Sequence, residues 1–208
     1  MKPFSITSMI PGALLLLIST TGCQPPEAAQ AEASVETPAS PAVDPDVDPI
    51  ERGRYLVTVA GCNDCHTPFK MGANGPEPDM ARMLAGHPQD LRMPAAPAAQ
   101  GPWTWNGAAT NTAFAGPWGV SYASNLTPEP NSGIGIWTEE LFIRAMRTGR
   151  HWGQARPILP PMPWQNYSRM TEEDLKAIYA YLRTIPPVAN SVPESVPAPP
   201  PQSATLAP

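Results

Sequence analysis

Gly61-Cys62-Asn63-Asp64-Cys65-His66 decides how this sequence is read. Two thiols separated by two residues, with an imidazole directly after the second, make C-x-x-C-H, the attachment pattern of a covalent c-type haem. At that spacing Cys62 and Cys65 can bond the two vinyl-derived carbons of one porphyrin, and His66 sits beneath the iron as its axial ligand. A zinc site would need further Cys or His ligands at suitable spacing, and no second C-x-x-C occurs. A thioredoxin-like site would need a βαβ pattern around the motif, whereas the flanking sequence reads as helical. One haem c per chain is therefore expected.

Outward from the motif, three helices are expected. Upstream, Asp48-Pro49-Ile50-Glu51 combines a capping carboxylate, a proline suited to the first helical position and a glutamate at the capping-box position. That helix runs to about Val59 and leads the chain into Cys62. A second helix starts after Thr138, carries Leu141, Phe142, Ala145 and Met146 on one face, and ends at Gly149. A third starts at Thr171, has Glu172, Glu173 and Asp174 in its first turn, presents Leu175, Ile178, Leu182 and Ile185 as an apolar stripe, and stops at Pro186-Pro187. The stretch from Lys70 to Asn131 is rich in Gly, Pro, Ala and Asn but contains Trp103, Trp105 and Trp118. Aromatics of that size argue for an ordered, mostly irregular excursion that packs on the rest. The expected fold class is all-α, a helical domain around one covalent haem.

The second axial ligand is sought among nine methionines and two further histidines. Met162 lies in Leu159-Pro160-Pro161-Met162-Pro163-Trp164, between the second and third helices, where prolines can hold a thioether rigidly without a helix to carry it. Met146 shares a helix face and reads as core. His87 and His151 read as surface residues. Met162 is thus the expected partner of His66. Such His/Met ligation raises the reduction potential and leaves no open position for a substrate.

The ends read differently. Residues 1–22 have a signal-peptide form, with Lys2 as the positive region and Met9 to Ile18 as an apolar run too short to span a bilayer. Residues 23–49 are rich in Pro, Ala and acids and should be disordered, as should a Pro-rich tail over 189–208. Residues 50–188 form the folded domain. The net charge of −5 is concentrated in the linker: residues 24–49 hold six acids and no bases, whereas residues 50–188 hold twelve Lys/Arg against eleven Asp/Glu. No basic stripe of the kind that binds nucleic acid is present. Arg144, Arg147, Arg150 and Arg156 do fall in a stretch, Leu141 through Met170, that lacks any Asp or Glu. They read either as counterions for the haem propionates or as a docking patch for an acidic redox partner.

Two resemblances add to this reading. Thr20-Thr21-Gly22-Cys23 resembles a bacterial lipoprotein box, which implies that Cys23 becomes an acylated N-terminus anchored in a membrane; ordinary cleavage to a soluble periplasmic protein is the alternative. Over about residues 51–190 the chain resembles class I cytochrome c, and in particular the haem domains in cytochrome subunits of bacterial membrane-bound alcohol and related dehydrogenases. The matching pieces are Gly53-Arg54-Tyr55-Leu56, the haem motif with Thr67-Pro68, Ser124-Asn125-Leu126-Thr127-Pro128, and Gly133-Ile134-Gly135-Ile136-Trp137-Thr138. Pro161-Met162-Pro163-Trp164 and Met170-Thr171-Glu172-Glu173-Asp174-Leu175, running into Ala180-Tyr181-Leu182-Arg183, complete the set. The likeness implies that the first and last helices cross near the haem edge, with Gly53 allowing close approach around Tyr181. By the same likeness, Asn125, Thr127, Trp137 and Trp164 lie near the haem or its propionates, or serve packing alone. Those subunits usually carry several C-x-x-C-H motifs; this chain has one.

The function implied is one-electron transfer on the periplasmic side of the cell envelope, between a dehydrogenase or quinol-oxidising complex and a downstream acceptor. On this reading the chain is a stand-alone carrier or a small accessory subunit and has no catalytic residues of its own. The rival readings are a peroxidase-like haem enzyme and a ligand sensor, both of which need an open distal site.

Overall fold

The computed structural model of the protein describes residues 47–96 and 102–198. The signal peptide, the acylation site at Cys23 and the linker up to Asp46 lie outside the described residues. Within them the helices are α1 (Pro49–Val59), α2 (Cys62–His66), α3 (Glu139–Thr148), α4 (Trp164–Tyr167) and α5 (Glu172–Leu182). The strands are β1 (Phe69–Gly72), β2 (Gly75–Pro78), β3 (Asn106–Gly107), β4 (Ala113–Gly116), β5 (Gly119–Tyr122) and β6 (Val196–Pro197).

The three expected helices are α1, α3 and α5, and their caps follow from side-chain chemistry. The Asp48 carboxylate accepts from the Ile50 amide at 2.9 Å, and the Thr138 and Thr171 hydroxyls accept from the Leu141 and Asp174 amides. Each satisfies one of the amides that a helix start leaves without an intrahelical partner. Glu51 does not close a capping box; its carboxylate is on Arg54 instead. Gly149 ends α3 in the left-handed conformation (φ +62°), and its amide returns to the Ala145 carbonyl.

α1 and α5 pack across Gly53. A Cβ there would overlap the Ala177 carbonyl oxygen and come within 2.7 Å of the Tyr181 Cβ, so only glycine permits this crossing. At one end of the pair a single Asp174 oxygen accepts from the Nε and Nη2 of Arg52, at 2.8 and 2.6 Å. The core joins Leu56 and Val57 of α1, Leu84, Ile134, Phe142 of α3, Ala177, Ile178 and Leu182 of α5, and Ile185 beyond it. Full burial of each large aliphatic or aromatic side chain here is worth about 1.5–3 kcal/mol.

The all-α expectation is overturned. β1 and β2 form an antiparallel hairpin, and β3, β4, β5 and β6 form a four-stranded antiparallel sheet in that order, so the fold is mixed α and β. The reason lies in the excursion after the haem motif. Its Gly and Pro residues oppose helix formation, yet its backbone groups still require partners when packed, and short antiparallel ladders supply them. Both tight hairpins turn on two residues between paired glycines: Ala73-Asn74 between Gly72 and Gly75, and Pro117-Trp118 between Gly116 and Gly119.

The disordered-tail expectation is also overturned as far as Ala198; residues 199–208 lie outside the described residues. Val196 and Pro197 pair with Val120 and Gly119. Ahead of them, Asn190 is buried. Its amide donates to the Ala85 and His87 carbonyls at 2.6 and 2.9 Å, and its carbonyl oxygen accepts from the Gln89 amide and from Arg82. One polar side chain with all its bonding capacity used pins the segment after α5 onto the loop after the haem motif.

Candidate haem site

α2 is a single turn whose purpose is presentation. Gly61 enters it, and the turn places Cys62, Cys65 and His66 on the wall of one cavity of about 580 Å³. Both cysteines carry free thiols. Burial pushes the Cys62 thiol up to about 11, and burial also raises Cys65, so both stay protonated until they are bonded. His66 is buried, and burial lowers its pKa, which keeps the ring neutral as metal ligation requires. The His66 Nδ1 lies 2.7 Å from the Ser124 carbonyl oxygen. That contact sets Nδ1 as the donor and leaves Nε2 free as the ligating atom, the usual outer contact of a metal-binding histidine.

The surroundings of His66 are fixed in turn. Its own carbonyl accepts from the Gly86 amide at 2.7 Å, and the Thr67 hydroxyl donates to Asn63 and accepts from the Leu84 amide. The same region holds His87, which is buried rather than on the surface. His87 Nδ1 pairs with the Thr112 hydroxyl at 2.9 Å, Nε2 with the Leu91 carbonyl at 3.1 Å, and the ring leans on Tyr122. It is thus a packing residue, away from the cavity wall.

Met162 also lines the cavity, as expected. Its loop is tethered on the N-terminal side. The Ser121 hydroxyl of β5 donates to the Pro160 carbonyl at 2.6 Å, and the Ile158 amide returns to the Gly149 carbonyl. On the far side Trp164 packs over Gly149, where any Cβ would collide with the indole. Two further donors line the same cavity, Met146 and His151. Met146 packs against the hydrophobic core from α3. His151 packs edge-on against Trp137 and Trp152, at centroid distances of 5.4 and 6.2 Å.

Of the four residues the resemblance placed near the porphyrin, Asn125 and Trp137 line the cavity, whereas Thr127 and Trp164 serve packing. Asn125 is itself committed, accepting from the Thr127 amide and hydroxyl and donating to the Val188 carbonyl at 2.8 Å. Several wall residues carry no warning in the sequence. Tyr167 donates to the Ala60 carbonyl at 2.7 Å, and burial pushes its phenol up to about 12, so it covers the cysteine side as a neutral group. Residues 191–195 cross the cavity as a strap held by Asn190 and β6. The Ser124 role is a backbone carbonyl, which any residue type could supply.

The residues present fit a covalent haem. Two free thiols, a neutral imidazole with one nitrogen committed, thioether donors on the same wall and a largely apolar lining are a donor set for tetrapyrrole iron. The cavity's volume falls within the usual range for enclosed ligand sites, about 300–1,000 Å³.

Residues 50–186 match the family model described as cytochrome c. The chain belongs to the cytochrome c family. It is 32% identical over 183 residues to the fructose dehydrogenase cytochrome subunit of Gluconobacter japonicus, covering 88% of this chain and 28% of that one. It is 29% identical over 152 residues to the cytochrome c subunit of the quinone-linked alcohol dehydrogenase of Gluconobacter oxydans, covering 73% of this chain and 24% of the relative. With the gluconate 2-dehydrogenase cytochrome c subunit of Pantoea cypripedii the identity is 28% over 143 residues, 68% of this chain and 24% of the relative. This cytochrome thus spans about a quarter of the length of these three relatives. Family membership carries a covalently bound haem c, and the sequence of this cytochrome holds one C-x-x-C-H for it.

Proposed function

We propose that this cytochrome is a one-electron carrier serving a dehydrogenase, as an accessory cytochrome subunit or as a small separate protein. The single observation that carries the reading is the cavity in which the two thiols, His66 and Met162 meet. The haem, when bound, supplies reversible one-electron iron chemistry. Cys62 and Cys65 would hold it covalently, His66 would present Nε2, and Met162 would supply a thioether as the second protein ligand. Tyr167 and the strap over 191–195 form part of the wall. With His66 and Met162 both holding the iron, no place would remain for a substrate to bind it. That distinguishes a carrier from a peroxidase or ligand sensor.

The dehydrogenase partner is supported by the relatives, each named a cytochrome subunit of such an enzyme. Placement on the periplasmic side of the envelope, with a lipid on Cys23, rests on the export-like start of the sequence. Among the described residues no helix is long and apolar enough to cross a membrane. A Cys23→Ser variant is expected to move from the membrane to the soluble fraction; an unchanged distribution would rule out the anchor.

The decisive experiment is spectroscopy on protein matured in a host competent for haem attachment. Colour must survive acid–organic extraction, and the ferric form must show the weak long-wavelength band of sulfur-to-iron ligation. Ready binding of carbon monoxide by the ferrous protein, or rapid peroxide turnover, would replace the carrier by an open-site enzyme or sensor.

A further inference from the structure

The four-stranded sheet supplies none of the expected haem residues, yet it reaches the loop that carries Met162. Leu159, Pro161, Met162 and Pro163 all line the cavity. Three of the four residues from Pro160 to Pro163 are prolines, which have no N–H to give. The loop is therefore held by groups that come from outside it or just past it.

From one side comes β5. The buried Ser121 hydroxyl donates to the Pro160 carbonyl at 2.6 Å, while its other carbonyl neighbour, that of Phe114, is at 3.4 Å. The Trp118 Nε1 donates to the same hydroxyl at 3.3 Å, which leaves the Ser121 proton for the carbonyls. That indole lies against the β4–β5 hairpin, where a Cβ on Gly116 would collide with it. The hairpin corner thereby aims one hydroxyl at the Met162 loop. From the other side comes α4, which starts directly after Pro163 and ends on Tyr167. The Tyr167 hydroxyl donates to the Ala60 carbonyl at 2.7 Å, two residues ahead of Cys62. Behind it, Arg147 donates to the Ser168 and Met170 carbonyls. Met162 thus stands two residues from one hydroxyl clasp and five from the other.

A thioether is a neutral, soft ligand, and loops open locally at far lower cost than core helices. A site carried on a loop keeps its geometry only through the contacts that support the loop. The geometry points to Ser121 and Tyr167 as positioning residues for the second iron ligand: two hydroxyl clasps, one from the sheet and one onto the turn before Cys62, that set how readily the Met162 thioether gives way to another ligand. On the carrier reading with Met162 as ligand, on which this rests, the β4–β5 hairpin is the support of the Met162 loop rather than an ornament on a helical domain.

The test follows the rate at which added imidazole abolishes the sulfur–iron band of the ferric, haem-loaded full chain, in wild type, Ser121→Ala, Tyr167→Phe and Tyr179→Phe. Tyr179 is the matched control. Its hydroxyl also donates to a backbone carbonyl, that of Trp137 at 2.6 Å, which belongs to neither the Met162 loop nor the turn before Cys62. Removing either clasp should speed displacement about three- to tenfold, the effect of losing one ordinary hydrogen bond, with covalent haem content unchanged. Tyr179→Phe should lower Tm much as Tyr167→Phe does, yet leave the displacement rate at the wild-type value. Equal acceleration in the control would mean general softening and would overturn the proposal, as would a wild-type rate in either clasp variant. Tyr167→Phe removes a single oxygen and decides the matter even where Ser121→Ala fails to fold. A ferric wild-type protein without the band would sink the Met162 reading itself and take this proposal with it, so the two failures are told apart.

Discussion

Three side chains on the cavity wall could reach a distal iron position, and they differ in what else they do. Met146 is packed against the core, His151 packs edge-on against two indoles, and Met162 sits on a loop tied down by Ser121 and Gly149. The long-wavelength sulfur–iron band should therefore vanish in Met162→Ala, persist in Met146→Leu and persist in His151→Gln. Loss of the band in Met146→Leu alone would move the ligand to α3. At the same scale, the Asn190 side chain makes four hydrogen bonds. Its replacement by Ala strands several of the partner groups, at a cost of about 1–3 kcal/mol for each group left buried and unpaired, so a total loss of about 3 kcal/mol is expected. Urea titration of the haem protein reads that loss directly.

His87 gives the fold a pH dependence separate from the haem. Burial holds its pKa below the ordinary 6.5, followed by a hydrogen bond to Leu91 that raises it and the nearby charge of Arg82 that lowers it. The unfolded chain takes up the proton near 6.5 while the folded one resists it, so protonation favours unfolding. The contribution is complete above 6.5 and is lost as the pH falls from there toward the lowered folded value. Denaturant midpoints measured from pH 7 to pH 5 should decline, and the decline should be shallower in His87→Gln.

Among the elements, the α1–α5 crossing is the most exacting. Gly53→Ala places a methyl group on the Ala177 carbonyl, and the helices must separate to admit it; overpacking of this kind costs about 1–3 kcal/mol. A drop in Tm with retained haem spectrum is the expected outcome. The crossing was legible beforehand because Gly53 and Tyr181 sit in pieces that resemble a known family. The helices were legible because Asp48, Thr138 and Thr171 are chemical start signals followed by apolar periodicity. The strands were not. β3 and β6 are two residues each, and β4 and β5 are four, too short for alternation to register. Their best clue was the pair of glycines bracketing Pro117-Trp118, a hairpin corner hidden within a segment whose composition suggested only irregularity. Cys62, Cys65, His66 and Met162 were readable because motif chemistry names side chains. Ser124 and Ala60 were not, because each contributes a carbonyl that any residue would have.

The whole molecule is closed by its last described segment. The proline content of residues 189–208 suggested disorder, yet residues 189–198 contribute a buried asparagine, part of the cavity wall and a sheet edge. Proline removes a backbone donor, and an edge position needs fewer of them, which reconciles Pro197 with strand pairing. Truncation after Val188 should lower Tm and make the reduced protein more readily oxidised by small soluble oxidants. Equal oxidation rates in the two forms would mean that the strap does not shield the haem edge.

That strap also dictates where the protein can be wired to a surface. A tether fixed at Ala198 pulls along the sheet edge made by β6, whose partner β5 lends Ser121 and Tyr122 to the cavity wall. A fluorescent or spin label on Ser195 would instead report occupancy of the cavity itself, five residues from the asparagine clasp.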